Sequence, residues 1–347
     1  MQAVLAHEPP AGWTGLLDAD PAADACHCPF WIATLARHRP GTQPLWLTVH
    51  ADGRLVGGLA ALATAGPWGR LDSGPDGTAG GPLVRADLDP AAAAQVARTL
   101  LQALADARGG PLRGCGVALN PGHEARWRDL VLADRRFRRR PVPAAVLDLG
   151  GGAEAVAARF RKSKRNERNR GLRRGCEVAV TAADADLAAW HRLHQAACRR
   201  WGTAPLPLAL LRDLLQRAPA ADGGSAFFTC VRCEGRVVGG HLNLHRGDGV
   251  IAWSGVTDPA VARTHFPSTL AVWGDVEEAC RRGARWLDLG SSGGIASLEE
   301  FKRTLGAETR ERGWYLAESL PRRLLRRVAE GRRGAARGRW HDPGPRA

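Results

Sequence analysis

Almost all the basic side chains in this sequence are arginines, and only three are lysines. Of the 49 lysine and arginine residues, only Lys162, Lys164 and Lys302 are lysines. An ammonium group is a compact point charge that can lose its proton, whereas a guanidinium stays protonated. Two of the lysines lie in the basic segment 160–174, and the third follows Phe301 in a second motif. The lysines therefore indicate two sites where the chemistry of an ammonium group would be useful.

The basic segment carries eight lysines and arginines between residues 161 and 174 and a single acid, Glu167. On a helix these charges would cover most of the circumference, so the segment is not simply the polar face of an amphipathic helix. Such a helix can neutralise several nucleic-acid phosphates without recognising a base sequence. The alternative is a solvated surface helix, because charged runs are common on protein surfaces.

The second motif predicts a helix that places Lys302 near its start. Ser297 and Glu300 have the spacing of a capping box, so the helix is expected to begin near residue 298. Lys302 would then lie in the second turn, where its ammonium group can stabilise the oxyanion that forms when an amine attacks an ester. An ordinary exposed helix lysine is the alternative.

A glycine- and serine-rich loop, 290–294, precedes that helix and follows a predicted strand, 284–289. Its small residues would let the backbone approach a phosphate or a substrate closely, although a plain connecting loop fits the sequence equally well. Asp288, on the strand, can orient a substrate amine or cap the loop. Ser291 and Ser292 are the loop side chains that could contact a substrate.

Length and charge limit the class of protein. The chain has 347 residues, which favours two domains, and its 44% hydrophobic content is that of a soluble protein. A net charge of +14 indicates a polyanionic partner, either nucleic acid or, at the periphery, an anionic membrane surface. We find no apolar run long enough to span a membrane and no signal peptide, so a cytoplasmic protein is expected.

The sequence contains eight cysteines. Cys230 and Cys233 have the spacing of a metal-ligand pair, but only Cys26 and Cys28 could complete a zinc site, and structural zinc usually takes two well-spaced pairs. A disulfide framework is not expected in a cytoplasmic chain of this length. Buried, unreactive thiols and no bound metal are therefore predicted.

An internal repeat divides the chain. Residues 45–62 and 227–244 each read as a strand, an acidic-Gly turn and a second strand containing Val-Gly-Gly. Each copy is followed by a predicted helix and strand, which indicates a duplicated α+β domain with a mixed central sheet. The predicted helices are 91–107, 186–201 and 268–282, and a further strand is 114–119. The predicted domains are 1–143, ending in an Arg/Pro-rich link over 135–143, and 144–320, with a disordered basic tail over 321–347 that begins with a short helix around Leu324 and Leu325.

The second half of the chain resembles the Fem family in its motifs and in the order in which they occur. The resemblance rests on residues 146–149, the basic helix 160–174, the helix that ends at 199–202, the hairpin 227–244, the strand 286–290 and the motif 301–306. This family consists of tandem acyltransferase-fold (GNAT) proteins that form amide bonds from aminoacyl-tRNA. The resemblance implies that Lys302 is functionally essential and that Phe301 lines the same channel. There is no room for the long helical arm of some members, so the acceptor amine could belong to a peptidoglycan precursor or to a natural-product intermediate.

The resemblance thus implies a cytoplasmic N-acyltransferase that uses aminoacyl-tRNA as donor, needs no cofactor, and binds its acceptor with the first domain and the interdomain cleft. The catalytic candidates are Lys302, Phe301 and Asp288; the tRNA-binding candidates are Lys162, Lys164, Arg165, Arg168, Arg173 and Arg174; the substrate-binding candidates are Trp253, Ser291, Ser292 and Arg303. No general base is obvious. His241 and His245, on one face of a strand, are expected to pack, and an α-amine with a pKa near ~8 is already partly neutral at working pH.

Two other functions remain open. An N-acetyltransferase that uses acyl-CoA would hold the pyrophosphate in a glycine-rich turn, but the matching segments, 84–91 and 260–268, contain no glycine. Pro267 also lacks an N–H group where donors would be needed. The third class is a protein that binds RNA or a membrane without catalysis. Loss of activity on substitution of Lys302, with tRNA binding unchanged, would exclude it.

Overall fold

In the computed structural model, residues 2–110, 112–216 and 222–324 are described. The first half contains β1 (Ala3–Ala6), α1 (Trp13–Ala19), α2 (Pro29–Arg37), β2 (Thr42–Ala51), β3 (Arg54–Thr64), β4 (Arg70–Ser73), β5 (Leu83–Val84), α3 (Pro90–Asp106), β6 (Gly114–Ala118), α4 (Pro121–Ala133) and β7 (Phe137–Pro141). The second half contains β8 (Ala144–Asp148), α5 (Gly152–Arg159), α6 (Lys162–Arg173), β9 (Cys176–Val180), α7 (Asp184–Trp201), α8 (Leu208–Gln216), β10 (Ser225–Cys233), β11 (Arg236–Arg246), β12 (Gly249–Thr257), α9 (Ala262–His265), α10 (Pro267–Arg281), β13 (Trp286–Asp288), α11 (Ala296–Thr304), β14 (Glu308–Arg310) and β15 (Gly313–Ala317).

The strands form two mixed sheets. One has the order β1-β2-β3-β4-β6-β15-β7, with β5 paired to β3, and the other has the order β14-β8-β13-β12-β11-β10-β9. In each sheet an antiparallel hairpin leads to a parallel pair, β4 with β6 and β12 with β13, and a long helix crosses between the paired strands. The same order of elements in both sheets confirms the predicted α+β fold with mixed central sheets.

The two hairpin turns form as the sequence predicts. Asp52 and Gly53 have φ angles of 50° and 74°, and Glu234 and Gly235 have φ angles of 52° and 72°. Positive φ at both central residues matches the right-handed twist of the flanking strands, and glycine adopts it without a steric penalty. The turns therefore set the register of the first two residue pairs, beyond which a bulge shifts the register by one residue in both hairpins.

Two strands lie where the sequence analysis did not place them. The segment 135–143, expected as an irregular link, contains the edge strand β7. β15, from the range assigned to the second domain, lies in the first sheet between β6 and β7 and is antiparallel to both. α4 carries the chain from β6 to β7 and leaves a gap one strand wide, which β15 fills. The predicted tail beyond residue 324, including Leu325, lies outside the described residues.

The two halves share a hydrophobic core. Trp13 and Trp31 of the first half belong to the same buried cluster as Trp190 and Leu242 of the second. At its edge the ring of Trp253 packs edge-on against Trp31, with 4.7 Å between centroids. Every helix over the described ranges is too short or too polar to cross a lipid bilayer.

The expectation that all cysteines are free thiols is wrong. Cys176 of β9 and Cys233 of β10 are directly opposite each other in the antiparallel ladder and form a disulfide, with Cα atoms 4.2 Å apart. This bond also removes Cys233 from the considered metal-ligand pair. Cys230 is a buried free thiol, as are Cys26 and Cys28. The pairing depends on a strand register between residues 57 positions apart, which spacing alone does not reveal.

Candidate active site

Lys302 lies at the end of its helix, which corrects the sequence-based prediction. α11 begins at Ala296, after Ile295, and no side chain caps it. Ser297 is thus the second residue of the helix and cannot be its N-cap, so the expected capping box of Ser297 and Glu300 does not form; Glu300 pairs with Arg303 at 2.5 Å. Lys302 is therefore in the last turn of α11, away from the positive end of the helix dipole.

The ammonium group of Lys302 is buried and anchored. The residue is 6% exposed, and its Nζ donates to the carbonyl oxygen of Gly290 at 2.9 Å. Burial lowers the pKa of Lys302 to about 8, although the negative charge of Asp288 opposes this shift. A buried ammonium with a single carbonyl partner has donors left for a substrate oxygen.

Asp288 lies at the end of β13, beside Lys302. Its Oδ1 accepts from the Gly290 N–H at 2.6 Å, and its Oδ2 is 3.8 Å from Nη1 of Arg312, which is also buried. Burial raises the pKa of Asp288, against the attraction of the guanidinium. Asp288 therefore caps the loop, which was one of the two roles considered for it, and also lies at the wall of a cavity described below.

A cavity of about 520 Å³ is lined by the residue that precedes Lys302, although Lys302 itself is not in its wall. The preceding residue, Phe301, is in its wall, and the ammonium of Lys164 lies 4.9 Å from the centre of the Phe301 ring. The two lysine motifs therefore meet at this cavity. Its walls come from α6, α9, α10, α11, β11 and β12, and its lining residues are Lys164, Glu167, His241, Gly255, Val256, Thr257, Ala262, Arg263, Phe266, Ser268, Thr269, Ser297, Leu298 and Phe301.

Lys164 is held in this wall by a short polar chain. Its Nζ lies 2.7 and 2.8 Å from the carboxylate oxygens of Glu167, and Thr269 Oγ1 donates to the same carboxylate at 2.6 Å. Glu167 was noted only as the one acid of the basic segment. Its link to Thr269 depends on the packing of α6 against α10, which the sequence pattern does not show.

The other basic candidates divide into inward and outward groups. Arg168 stacks over the Trp273 ring at 4.4 Å, Arg165 donates to the carbonyl of Ala158 at 3.0 Å, and Arg174 donates to the carbonyl of Thr264 at 2.5 Å. Lys162 and Arg173 are exposed and have no such contact within the part of the chain that the structure describes, whereas Arg174 is exposed but keeps its contact with Thr264. Basic side chains do extend around α6, as predicted. Several of them contact neighbouring elements, however, and so hold α6 against the domain.

The four substrate-binding candidates lie apart from the 520 Å³ cavity. Trp253 packs between the halves and donates to the carbonyl of Asp76 at 3.4 Å. Ser291 Oγ accepts from Gly293 N at 3.2 Å within the loop, next to the buried Ser292. Arg303 is exposed and paired with Glu300. Nothing in their contacts tests a role in substrate binding, which stays a prediction.

His241 is at the wall of the cavity, although packing was expected for it. Its Nδ1 contacts Oδ2 of Asp275, a fully buried carboxylate on α10, and Oδ1 of Asp275 accepts from Asn243 Nδ2 at 2.8 Å. The sequence offered no signal for the Asp275 contact, because β11 and α10 meet only through tertiary packing.

A second cavity, of about 620 Å³, lies between the two halves. Asp288 and Arg310 contribute to it from the second half, and Asp20, Asp24 and Asn120 from the first. Although burial opposes ionisation, hydrogen bonds and the charges of buried histidines hold the pKa values of Asp20 and Asp24 at about 2. These carboxylates are therefore charged at neutral pH, although Arg126 pairs with Asp20 at 3.0 Å and two arginines also line the cavity.

Comparison with known proteins agrees with the observed fold. A family model described as an acetyltransferase (GNAT) domain matches residues 158–303. The structure is similar to that of FemX, with a TM-score of 0.69 at 13% identity over 94% of this chain and 99% of that one. A tandem GNAT protein from the clavulanic acid biosynthesis pathway has a TM-score of 0.56 at 15% identity, over 91% and 98% of the chains. L-PGS from Bacillus licheniformis has a TM-score of 0.52 at 16% identity, over 92% and 94%. No curated protein matches the sequence.

The chain is thus built as two GNAT-like domains, the architecture of acyl-transferring enzymes. More specifically, its fold is the tandem arrangement seen in FemX, which confirms the fold implied by the resemblance.

Proposed function

We propose that this protein is an aminoacyltransferase that moves an aminoacyl group from aminoacyl-tRNA to an amine and forms an amide bond. The observation that carries the proposal is the meeting of the two lysine motifs: Phe301 and Lys164 line one cavity, and Lys302, adjacent to Phe301, holds a buried ammonium. The structural similarity to FemX agrees with the resemblance to the Fem family, which implies this class of reaction.

The donor would enter along α6. The exposed Lys162 and Arg173 would contact phosphates of the acceptor stem, which positions the RNA without recognising its sequence. The aminoacyl ester would then lie in the 520 Å³ cavity against Phe301, and the Lys302 ammonium would stabilise the oxyanion of the tetrahedral intermediate. Charged tRNA as donor would place the reaction in the cytoplasm.

The acceptor would occupy the 620 Å³ cavity between the halves. Asp288 lies in the wall of this cavity and accepts from the Gly290 N–H, and the carbonyl oxygen of Gly290 accepts from the Lys302 ammonium. The charged carboxylates of Asp20 and Asp24 would attract an acceptor that carries an ammonium group. A peptidoglycan precursor or a natural-product intermediate with a free amine fits this description.

An acyl-CoA donor is the second candidate, because the first turn of α10, with Ser268 and Thr269, opens into the 520 Å³ cavity. Helix N-termini bind phosphates well. However, Pro267 occupies the first helical position and Phe266 the left-handed cap, with φ of 54°, so the turn lacks the glycine-rich backbone that a pyrophosphate would need.

The test compares binding of charged tRNA, deacylated tRNA and acetyl-CoA to the purified protein at moderate salt. The variants are Lys162→Ala/Lys164→Ala and, as a matched control, Arg98→Ala, which removes an exposed helix arginine from the first half. We expect charged tRNA to bind the wild type and Arg98→Ala equally and the double variant more weakly. Saturable binding of acetyl-CoA, with tRNA binding that no variant changes, would overturn the proposed donor.

A further inference from the structure

His241 is oriented by a buried acid. Its Nδ1 contacts Asp275, whose carboxylate is fully buried and is fixed from the other side by Asn243 at 2.8 Å. In a neutral imidazole one ring nitrogen donates and the other accepts. A carboxylate beside Nδ1 selects the tautomer with the proton on Nδ1, so Nε2 keeps its lone pair.

Nε2 of His241 is free of protein hydrogen bonds over the described ranges, and the side chain lines the 520 Å³ cavity. Gly255, in register with His241 on β12, keeps this side clear, because a Cβ atom there would lie only 2.7 Å from Nε2. The charged groups around the ring are Asp275 on α10, Lys164 and Glu167 on α6, and Arg263 on α9.

An acid on one ring nitrogen is not by itself distinctive: His27 also contacts a buried acid through Nδ1, and its Nε2 has no partner within the described residues, but that ring is buried in the core. On the same strand as His241, a histidine with both nitrogens paired provides a second comparison. His245 contacts Ser225 Oγ at 3.3 Å through Nδ1 and the carbonyl of Gly247 at 3.2 Å through Nε2. His241 differs because one nitrogen is fixed by a buried acid and the other faces the cavity. This arrangement has the acid–histidine geometry that activates a proton acceptor.

We propose that His241 is the general base of the reaction, with Asp275 and Asn243 as positioning residues. The inference rests on the proposed function, since it places the proton acceptor in the cavity assigned to the donor ester. It goes beyond the sequence analysis, in which no general base was obvious.

Amide formation would take place in two stages, addition of the amine and loss of the ribose oxygen. The amine nitrogen attacks the ester carbonyl carbon and forms the new C–N bond, while the carbonyl electron pair moves to the oxygen beside Lys302. Nε2 of His241 accepts the proton that the nitrogen loses. The oxyanion then re-forms the carbonyl, the bond to the ribose oxygen breaks, and the protonated His241 returns its proton to that oxygen. The products are an amide and a free ribose hydroxyl.

The first test measures single-turnover transfer between pH 5.5 and about 9 for the wild type, His241→Gln, Asp275→Asn and the matched control His245→Gln. Charged tRNA and acetyl-CoA serve as donors in parallel, with L-lysine, glycinamide and a peptidoglycan pentapeptide precursor as acceptors. We expect His241→Gln to lower the rate at neutral pH by about 10²- to 10⁴-fold and to recover partly as rising pH deprotonates the amine. Asp275→Asn should lower the rate less, and His245→Gln should resemble the wild type.

The results of this test distinguish a failure of the proposed tRNA donor from a failure of the proposed role of His241. Transfer from acetyl-CoA alone would overturn the proposed tRNA donor, and the His241 comparison would then be made with acetyl-CoA. Transfer from charged tRNA that is equally fast in His241→Gln at every pH would overturn the role of His241 and leave the donor in place.

A second measurement does not depend on turnover. In a ¹⁵N spectrum of histidine-labelled protein, the signals that disappear in His241→Gln belong to this ring. We expect them to show a proton on Nδ1 and a free Nε2 in the wild type, and a changed tautomer in Asp275→Asn. A proton fixed on Nε2 of the neutral wild-type ring would overturn the proposal even without an active assay.

Discussion

The Lys302 ammonium lies 2.9 Å from the carbonyl oxygen of Gly290 and ties the last turn of α11 to the end of β13. This contact joins the helix that carries Phe301 to the strand that carries Asp288. A single side chain therefore connects the helix that helps to line the 520 Å³ cavity with the strand that helps to line the 620 Å³ cavity. The buried ammonium, more than its place along α11, is what would let Lys302 act on a carbonyl oxygen.

Removing the Lys302 ammonium should slow transfer strongly. Because it would stabilise charge that develops only in the transition state, we expect Lys302→Gln to lower kcat by about 10²- to 10³-fold with little change in the affinity for charged tRNA. Single-turnover rates and filter binding on the same preparations check this. Lys302→Arg tests the geometry, since a planar guanidinium fits the buried site poorly; a fully active Lys302→Arg would contradict the assigned role.

The same substitution should change how stability depends on pH. Burial lowers the pKa of Lys302 from its ordinary 10.5 to about 8 in the folded protein. Between these two pH values the unfolded chain binds a proton that the folded chain does not, so the wild type gains stability as pH rises. We expect the free energy of unfolding of the wild type, measured relative to Lys302→Gln, to increase from pH 8 to pH 10.5. A difference that stays constant would contradict the burial of the ammonium.

The two groups of basic residues on α6 should behave differently when substituted. Lys162→Ala/Arg173→Ala removes exposed charges, so it should weaken tRNA binding for every tRNA and reduce the salt dependence of log Kd by about two. Arg168→Ala removes the stacking contact with Trp273 and should mainly lower stability, by about 0.5–2 kcal/mol. Binding titrations at several salt concentrations measure the first effect, and thermal unfolding measures the second. Loss of stability in Lys162→Ala/Arg173→Ala, with weaker tRNA binding in Arg168→Ala, would contradict the assignment of exposed and inward residues.

The space beside His241 should be essential. In Gly255→Ala the new methyl group would lie 2.3 Å from Cδ2 of His241, so the ring must rotate away from Asp275. We expect the transfer rate to fall by at least about tenfold, with the circular dichroism spectrum retained. Gly15→Ala, where an added Cβ meets nothing within 4 Å, is the matched control and should keep full activity. An active Gly255→Ala with a rotated ring would show that the orientation of His241 is unimportant.

The disulfide should contribute to stability. Cys176 and Cys233 close a loop with a sequence separation of 57, and linking them restricts the unfolded chain. We expect Cys176→Ser/Cys233→Ser to lower the free energy of unfolding by about 2–4 kcal/mol under non-reducing conditions and to match the reduced wild type. Cys280→Ser, which removes a free and only partly buried thiol, is the control. Alkylation of the denatured protein gives an independent count, and eight reactive thiols without reductant would disprove the bond.

Much of the fold could be predicted because its signals are local. The Asp-Gly and Glu-Gly turns determine both hairpins through the φ angles of two neighbouring residues, and the alanine-rich segment of α3 forms a helix through its own periodicity. The repeat of these signals revealed the duplication. The start of α11 was missed because the helix begins at Ala296 without any side-chain cap, so the Ser297–Glu300 spacing lies within the helix.

The sequence by itself determined the types of the chemical groups: three lysines among many arginines, two matching domains, and a basic helix. Only the tertiary structure decided which of them meet. The contact of His241 with Asp275, the disulfide between β9 and β10, and the place of β15 in the first sheet each join residues at least 34 positions apart. Such contacts depend on how sheets and helices pack over long separations, which no local periodicity encodes.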